Sequence, residues 1–248
     1  MNQSPIPKAL SMLFKARIKA LLMGGQACIL YGAAEFSRDI DLAILVSPEN
    51  LDNLQSALAE LEAEAVFFPQ LTEEALHRGH ACHFRCRARE VDGLRIDVMG
   101  KMRGVDAFPE LWERRVEIDL PEVGRIAVLA LEDLVQAKKT QRDKDWPMIR
   151  RLVEADFHRH RASASTEQVQ FWLAECRTPE ILQIIARKYA DLTSEICQRR
   201  PLLAAVQEGD LDRVVLMLRE EEERERELDR QHWEPLKKEL EQWRRRKI

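Results

Sequence analysis

The sequence lacks the features that membrane and secreted proteins need. No apolar run approaches the roughly 18 residues of a membrane span, and residues 1–9 contain no apolar core of a secretory signal peptide. The five cysteines are an odd and scattered set, which favours reduced thiols over a disulfide framework. These absences predict a cytoplasmic protein that does not associate with a membrane.

The chain also lacks an excess of positive charge. It has 39 Lys and Arg against 43 Asp and Glu, a formal net charge of −4, so no overall basic field indicates nucleic-acid binding. A local basic patch is still compatible with that balance. The 248 residues allow one large domain or two small ones.

Apolar periodicity predicts helices and strands that alternate in the first part of the chain. The predicted helices are 8–18, 26–33, 49–62, 108–117, 130–139 and 145–155, and the predicted strands are 19–23, 40–46, 82–90, 94–99 and 125–129. From Thr166 onward the pattern is helical, with Pro179 starting a helix and Pro201 marking a break. This order predicts an α/β (α+β) fold followed by an all-α C-terminal region. Periodicity is lost near residues 157–165, so the predicted domains are 1–160 and 161–248.

The strands 82–90 and 94–99 suit a hairpin around Val91-Asp92-Gly93. A three-residue turn pairs Cys86 with Val98 and Ala88 with Ile96 on the core face, and it sets Arg87 beside Asp97. A two-residue turn would set Arg87 and Arg89 against the apolar residues instead. The first register keeps charge off the core and is the one expected.

The chemistry is concentrated in Gly24-Gly25, which are followed after thirteen residues by Asp39 and Asp41. Two carboxylates at i and i+2 on a strand point to the same side, with Cα atoms about 6.5 Å apart. The glycine pair allows backbone N–H groups to approach a phosphate, with a helix N-terminus behind them. A phosphate cradle next to an acidic pair indicates nucleotide chemistry.

Asp97 is the third acid, on a predicted strand between apolar neighbours of opposite parity. Three carboxylates on one side of a sheet suit two Mg²⁺ ions roughly 3.5–4 Å apart. One ion would grip a triphosphate, and the other would lower the pKa of an attacking hydroxyl. Asp97 would alternatively act directly as the general base. In-line attack at the α-phosphate would release pyrophosphate.

The segments 21–27 and 37–42 resemble the nucleotidyltransferase superfamily of DNA polymerase beta, and most of all its bacterial branch of AbiEii-type toxins and minimal nucleotidyltransferases. A second match, 131–138 with 142–145, is similar to that family's Leu-Glu-x-Leu, Lys and Arg-x-Lys-Asp signature. The resemblance covers about residues 8–155. It implies a small mixed sheet with flanking helices, Mg²⁺ as cofactor and an NTP such as ATP as substrate.

The resemblance also implies roles for further residues. Lys138 would contact the nucleotide phosphates, and Asp145 would orient the Lys138 side chain. Lys138 and Arg142 would share a helix face, although Arg142 with Asp145 also fits an ordinary surface ion pair. Ser37 and Arg38, which precede the acids, would contact phosphate or, for Ser37, the backbone.

Three other patterns in the sequence combine charged, metal-binding or apolar side chains. The stretch His77 to Cys86 looks like a zinc motif, but Cys82 and Cys86 would be about 13 Å apart on a strand, so no metal site is expected there. The basic residues Arg85, Arg87, Arg89 and Arg95 either bind a triphosphate or an RNA backbone, or form a solvated strand face. The charge runs at 219–230 and 237–247 suit an exposed helix. Two apolar stripes lie in the same region, and they would pack on the domain, on an antitoxin or on a second copy: first Leu211, Val214, Val215 and Leu218, and second Trp233, Leu236, Leu240 and Trp243.

The sequence thus predicts an EC 2.7.7-type nucleotidyltransferase that moves NMP to an acceptor. The toxin-like resemblance favours an RNA end or a protein side chain, and a small hydroxylated molecule such as an aminoglycoside is the alternative. A hypothesis of another class is a nucleotide-binding toxin–antitoxin interaction module with little turnover.

Overall fold

A computed structural model describes residues 5–246 and divides them into two compact units. The first unit contains residues 5–30, 35–137 and 232–246, and the second contains 31–34 and 138–231. The outer ends of the two predicted domains, 1–4 and 247–248, lie outside the described residues, as does Lys247 at the end of the second charge run. The predicted boundary at 160/161 stays a prediction.

The first unit is built around a mixed sheet of seven strands in the described part of the chain. Its strands are β1 Ala20–Met23, β2 Asp39–Ile44, β3 Glu64–Ala65, β4 Cys82–Arg85, β5 Arg95–Met99, β6 Val116–Leu120 and β7 Gly124–Val128. Their order is β3-β4-β5-β2-β1-β7-β6, with β2–β5 and β1–β7 parallel and the other pairs antiparallel. The flanking helices are α1 Pro5–Lys15, α2 Gly24–Leu30, α3 Pro48–Glu60, α4 Glu73–Arg78, α5 Phe108–Glu113 and α6 Leu131–Ala137.

The second unit is helical. It contains α7 Asp145–His160, α8 Thr166–Glu175, α9 Pro179–Lys188, α10 Ala190–Ile196, α11 Leu202–Glu208 and the first part of α12 Leu211–Arg246. Helix α8 begins at a capping box in which the Ser165 and Gln168 side chains satisfy each other's backbone N–H groups. The ring of Phe157 in α7 meets Trp172 in α8 at 5.2 Å between centroids. The α/β part followed by an all-α region is therefore confirmed.

The last part of α12, residues 232–246, belongs to the first unit. There Glu239 bonds the buried His80 ring at 2.8 Å between Oε2 and Nε2, and it pairs with Arg78. The Trp243 ring lies 5.0 Å from His80 and 6.1 Å from Phe68, measured between centroids. Trp243 of the second predicted apolar stripe therefore packs on the first unit. None of the helices among the described residues combines the length and apolar character needed to cross a bilayer.

The predicted hairpin register is wrong by four residues. The observed partners are Cys82 with Val98, His83 with Asp97, Phe84 with Ile96 and Arg85 with Arg95. The connection is longer than a three-residue turn because it makes two successive turns, from Ala88 to Val91 and from Val91 to Leu94, with N–H to O distances of 2.9 and 3.0 Å. Because the shift is even, the apolar side chains still point into the core.

Several element boundaries also differ. The helix predicted over 108–117 ends at Glu113, because Val116–Leu120 pairs with β7 as an additional strand. Strand β3 and helix α4 were not predicted. The glycine pair begins α2 itself, where the prediction began that helix at residue 26.

Candidate functional site

One face of the sheet carries the charged and polar side chains of three neighbouring strands. They are Asp39 and Asp41 of β2, Arg95 and Asp97 of β5, and His83 and Arg85 of β4, all half-buried. Their neighbours in sequence, such as Ile40, Ile96 and Phe84, are buried. Since successive side chains of a strand point to opposite faces, the six share one open face.

The strand register arranges these side chains in two rows. Asp41 is the partner of Asp97 across the parallel pair β2–β5, and Asp97 is the partner of His83 across β5–β4. The second row consists of Asp39, Arg95 and Arg85. Neighbouring strands lie about 4.8 Å apart. The structure thus brings the three predicted acids onto one patch.

Asp97 is engaged by two neighbours. Its Oδ1 lies 2.8 Å from His83 Nδ1, and Arg95 Nη2 donates to its two oxygens at 3.3 and 3.1 Å. The predicted neighbour Arg87 instead pairs with Glu64 at 3.1 Å. His83 was missed as a site residue because only the correct register brings it beside Asp97.

The glycine pair accommodates two of the site's side chains. Gly24 has a φ of +64°, and a Cβ at this position would collide with the Asp41 carboxylate. A Cβ at Gly25 would collide with the Ser37 hydroxyl. Both positions therefore need glycine, for a reason separate from the predicted phosphate contact.

The loop before Asp39 is tied down by a glutamine that the sequence did not single out. Buried Gln26 donates from Nε2 to the backbone oxygens of Ser37 and Asp39 at 3.2 and 3.4 Å. The Ser37 hydroxyl donates to the Asp39 oxygen at 3.4 Å. Arg38 is exposed, and its guanidinium lies 5.6 Å from the Phe36 ring centroid.

The remaining predicted site residues lie in the second unit. Asp145 is buried, and its carboxylate lies 3.5 Å from Lys138 Nζ and 2.7 Å from Arg142 Nε. The Thr140 hydroxyl donates to the same carboxylate at 2.6 Å. The predicted helix through 138–139 is wrong, because α6 ends at Ala137 and both cations lie in the connection to α7. Lys138 and Arg142 therefore contact Asp145 from the loop and not from a shared helix face.

A cleft of about 440 Å³ also lies in the second unit. Arginines line this cleft, and two of them form ion pairs with acids of the same unit. Arg226 pairs with Asp143 and Glu222, and Arg150 pairs with Glu154. Burial lowers the pKa of Arg177, which lies 4.8 Å from the Trp146 ring centroid. The cleft contains none of the predicted site residues, so we assign the candidate site to the sheet face.

Between residues 5 and 246, no group of three or more His, Cys, Asp or Glu side chains is arranged to hold a metal ion. Burial raises the pKa of the Cys82 and Cys86 thiols to about 11 each. Both thiols are therefore protonated near neutral pH in the metal-free protein.

No protein-family model matches the chain, and no curated protein matches it. The solved structures that are similar to it include two from Helicobacter pylori. One is a protein from H. pylori provisionally assigned as a nucleotidyltransferase, with 15% identity, 90% of this chain and 93% of that chain covered, and a TM-score of 0.39. The other is JHP933 from Helicobacter pylori, with 11% identity, 88% and 89% covered, and a TM-score of 0.38.

Proposed function

We propose that the chain is a Mg²⁺-dependent nucleotidyltransferase that moves a nucleoside monophosphate from an NTP such as ATP to an acceptor hydroxyl and releases pyrophosphate. The observation that carries this proposal is the row formed by Asp41 and Asp97 on adjacent parallel strands, with Asp39 on the same face. Strand β1 pairs with β2 beside them and leads directly into Gly24-Gly25.

The donor set suits a hard divalent cation, because Mg²⁺ prefers carboxylate oxygens. Asp39 and Asp41 would bind Mg²⁺, and Asp97 would be a further ligand. In the structure, however, the Asp97 carboxylate is bonded to His83 and Arg95, and the Asp41 carboxylate lies over Gly24. Metal binding would therefore require these side chains to rotate. The chemistry that bound Mg²⁺ supplies is neutralisation of triphosphate charge and acidification of a bound hydroxyl.

Groups of the chain itself would bind the triphosphate and accept the proton of the attacking hydroxyl. Backbone N–H groups at Gly24-Gly25, with Ser37 and Arg38, would contact the triphosphate. The phosphate contact of Lys138, with Arg142 and Asp145 beside it in the second unit, stays a prediction of the sequence resemblance. As the alternative to binding the metal, Asp97 would accept the proton of the attacking hydroxyl, after its carboxylate has exchanged its contacts with His83 and Arg95.

A second candidate is an interaction module that binds the nucleotide with little turnover, as in a toxin–antitoxin pair. The engagement of Asp97 by His83 and Arg95 favours it, because this carboxylate would have to exchange partners before chemistry. Mg²⁺-dependent NTP binding without pyrophosphate release would support the second candidate.

The test is incubation of purified protein with each labelled NTP and total RNA, protein or aminoglycosides. We expect one acceptor to become labelled, and we expect Asp39→Ala to lower transfer by at least about 10²-fold. The matched control is Asp92→Ala, which removes an exposed acid from the hairpin connection of the same unit. Full transfer by a folded Asp39→Ala protein would contradict the metal role.

A further inference from the structure

Two arginines lie side by side on the open face of the sheet. Arg85 and Arg95 are direct partners in the antiparallel ladder β4–β5, which sets their Cβ atoms roughly 4.5–5.5 Å apart. Like charges at such positions destabilise a strand pair unless something compensates them. Asp97 compensates Arg95, whereas no acidic side chain pairs with Arg85 among the described residues, so an anion would be stabilising beside Arg85.

The two guanidinium groups keep unused hydrogen-bond donors. Arg95 donates from Nη2 to Asp97, but its buried Nε has no hydrogen-bond partner. Glu64, the other ladder neighbour of Arg85, pairs with Arg87. Among residues 5–246 the Arg85 side chain forms no ion pair. Planar guanidinium forks of this kind match phosphate oxygens.

An exposed aromatic ring contacts His83, which precedes Arg85 by two residues on the same strand face. Phe67 is 54% exposed, and its ring meets the His83 ring edge-on at 5.8 Å between centroids. His83 and Arg85 are on the same face of β4, two residues apart. Guanidinium groups that contact phosphates, next to an aromatic ring on which a base stacks, are the combination used to bind single-stranded nucleic acids. An aminoglycoside is a polycation, which two adjacent arginines would repel.

We infer that Arg85 and Arg95 bind the phosphate backbone of a single-stranded RNA acceptor, and that Phe67 stacks on one of its bases. This inference rests on the proposed function, because only a transferase has an acceptor. It selects RNA from the acceptor classes that the proposed function leaves open. The arginines lie in the row of Asp39, which brings a bound strand to the carboxylates.

The experiment measures fluorescence anisotropy of a short labelled single-stranded RNA with the full chain, without NTP. We expect Arg85→Ala to weaken binding about tenfold and to reduce the salt slope by about 0.7. We expect Phe67→Ala to weaken binding about fivefold or more. The matched control is Arg125→Ala, because Arg125 lies on β7 and pairs with Asp119 of the edge strand β6. Arg85→Lys keeps the charge and should retain part of the affinity even where the alanine variant folds poorly.

Equal RNA affinities for Arg85→Ala and Arg125→Ala would overturn the inference, as would absence of RNA binding by the unmodified protein. A parallel titration with a fluorescent ATP analogue and Mg²⁺ separates the two sources of phosphate. If Arg85→Ala weakens binding of the nucleotide but not of the RNA, the arginines serve the triphosphate and the inference is wrong. Labelling of another acceptor, with RNA binding independent of Arg85, would leave the proposed function intact. Arg85-dependent RNA binding without any transfer would support the binding site while the proposed function fails.

Discussion

At the scale of single residues, Gly24 and Asp41 constrain each other. Met23 is the ladder partner of Asp41, so the next residue along the chain lies directly beside the Asp41 carboxylate. Gly24 has a left-handed φ of +64° in addition. A side chain at this position would therefore meet both backbone strain and a steric collision.

Gly24→Ala should therefore destabilise the protein more than Gly93→Ala does. Gly93 has a similar φ of +81°, but a Cβ there would contact nothing within 4 Å. The Gly93 substitution should cost about 1–2 kcal/mol from the left-handed backbone alone, and the Gly24 substitution should cost more because Asp41 must move. Urea unfolding of both variants measures the difference. Equal costs would show that the carboxylate yields without penalty.

The sequence predicted the acids of this site better than their neighbours. Alternation along a strand is enough to place Asp39 and Asp41 on one face. The apolar neighbours of Asp97 point into the core, so Asp97 itself points to the open face of the sheet. His83 and Gln26 carry no such signal, because their partners are fixed by strand register and by a loop that folds back. The direction of a side chain is thus readable from local sequence, whereas its partner across the sheet is not.

At the scale of elements, the hairpin β4–β5 shows the same limit. Its apolar residues were assigned to the correct face, but glycine at position 93 suggested a short turn. The N–H groups of Arg87 and Ala88 donate instead to the Leu61 oxygen, at 3.3 and 3.2 Å. This contact comes from the end of α3, far away in sequence, and it takes both residues out of the strand. Short elements such as β3 and α4 likewise depend on tertiary contacts more than on periodicity.

Glu154 links α7 to the start of α9, and this link should make the helical unit sensitive to acid. Burial raises the pKa of Glu154, but hydrogen bonds from Thr178 and Arg150 outweigh it, so the pKa is lowered. A lowered pKa stabilises the folded state at pH values above the ordinary pKa of the group. That stability is lost as the pH falls through the folded value. We therefore expect Glu154→Gln to destabilise the protein at pH 7 and to flatten the loss of stability below about pH 4.5.

Urea midpoints of the unmodified protein and of Glu154→Gln, measured at neutral and at acid pH, test this link. Glu195→Gln is the control, since Glu195 is an exposed acid on α10 of the same unit. Parallel pH profiles for the unmodified protein and the Glu154 variant would contradict the expected role of this carboxylate.

At the scale of the whole molecule, charge is distributed in a way that the net value of −4 does not reveal. The excess of acids is small, while one sheet face combines Asp39, Asp41 and Asp97 with His83, Arg85 and Arg95. A local patch of this kind arises from register, which brings together residues that are distant in sequence. Composition therefore argued only against a global basic field.

The boundary between the α/β part and the helical part of the chain is also a property of the whole molecule, and fragments of the chain test where it lies. Contacts group residues 138–231, whereas the sequence predicts a separate region from 161 onward. Helix α7 matters here because Trp172 of α8 is fully buried, packs against Phe157 and donates to Asp156 Oδ2 at 2.7 Å.

We therefore expect fragment 138–231 to unfold cooperatively on heating, when followed by circular dichroism. Fragment 161–231 should lose that transition, because removing α7 uncovers Trp172, and truncating contacts of a buried aromatic costs about 3–5 kcal/mol, a large part of the stability of a small domain. In addition, the loss of Glu154 and Arg150 leaves the Thr178 hydroxyl at the start of α9 without its partners. Equal cooperativity in the two fragments would instead support a boundary near residue 160.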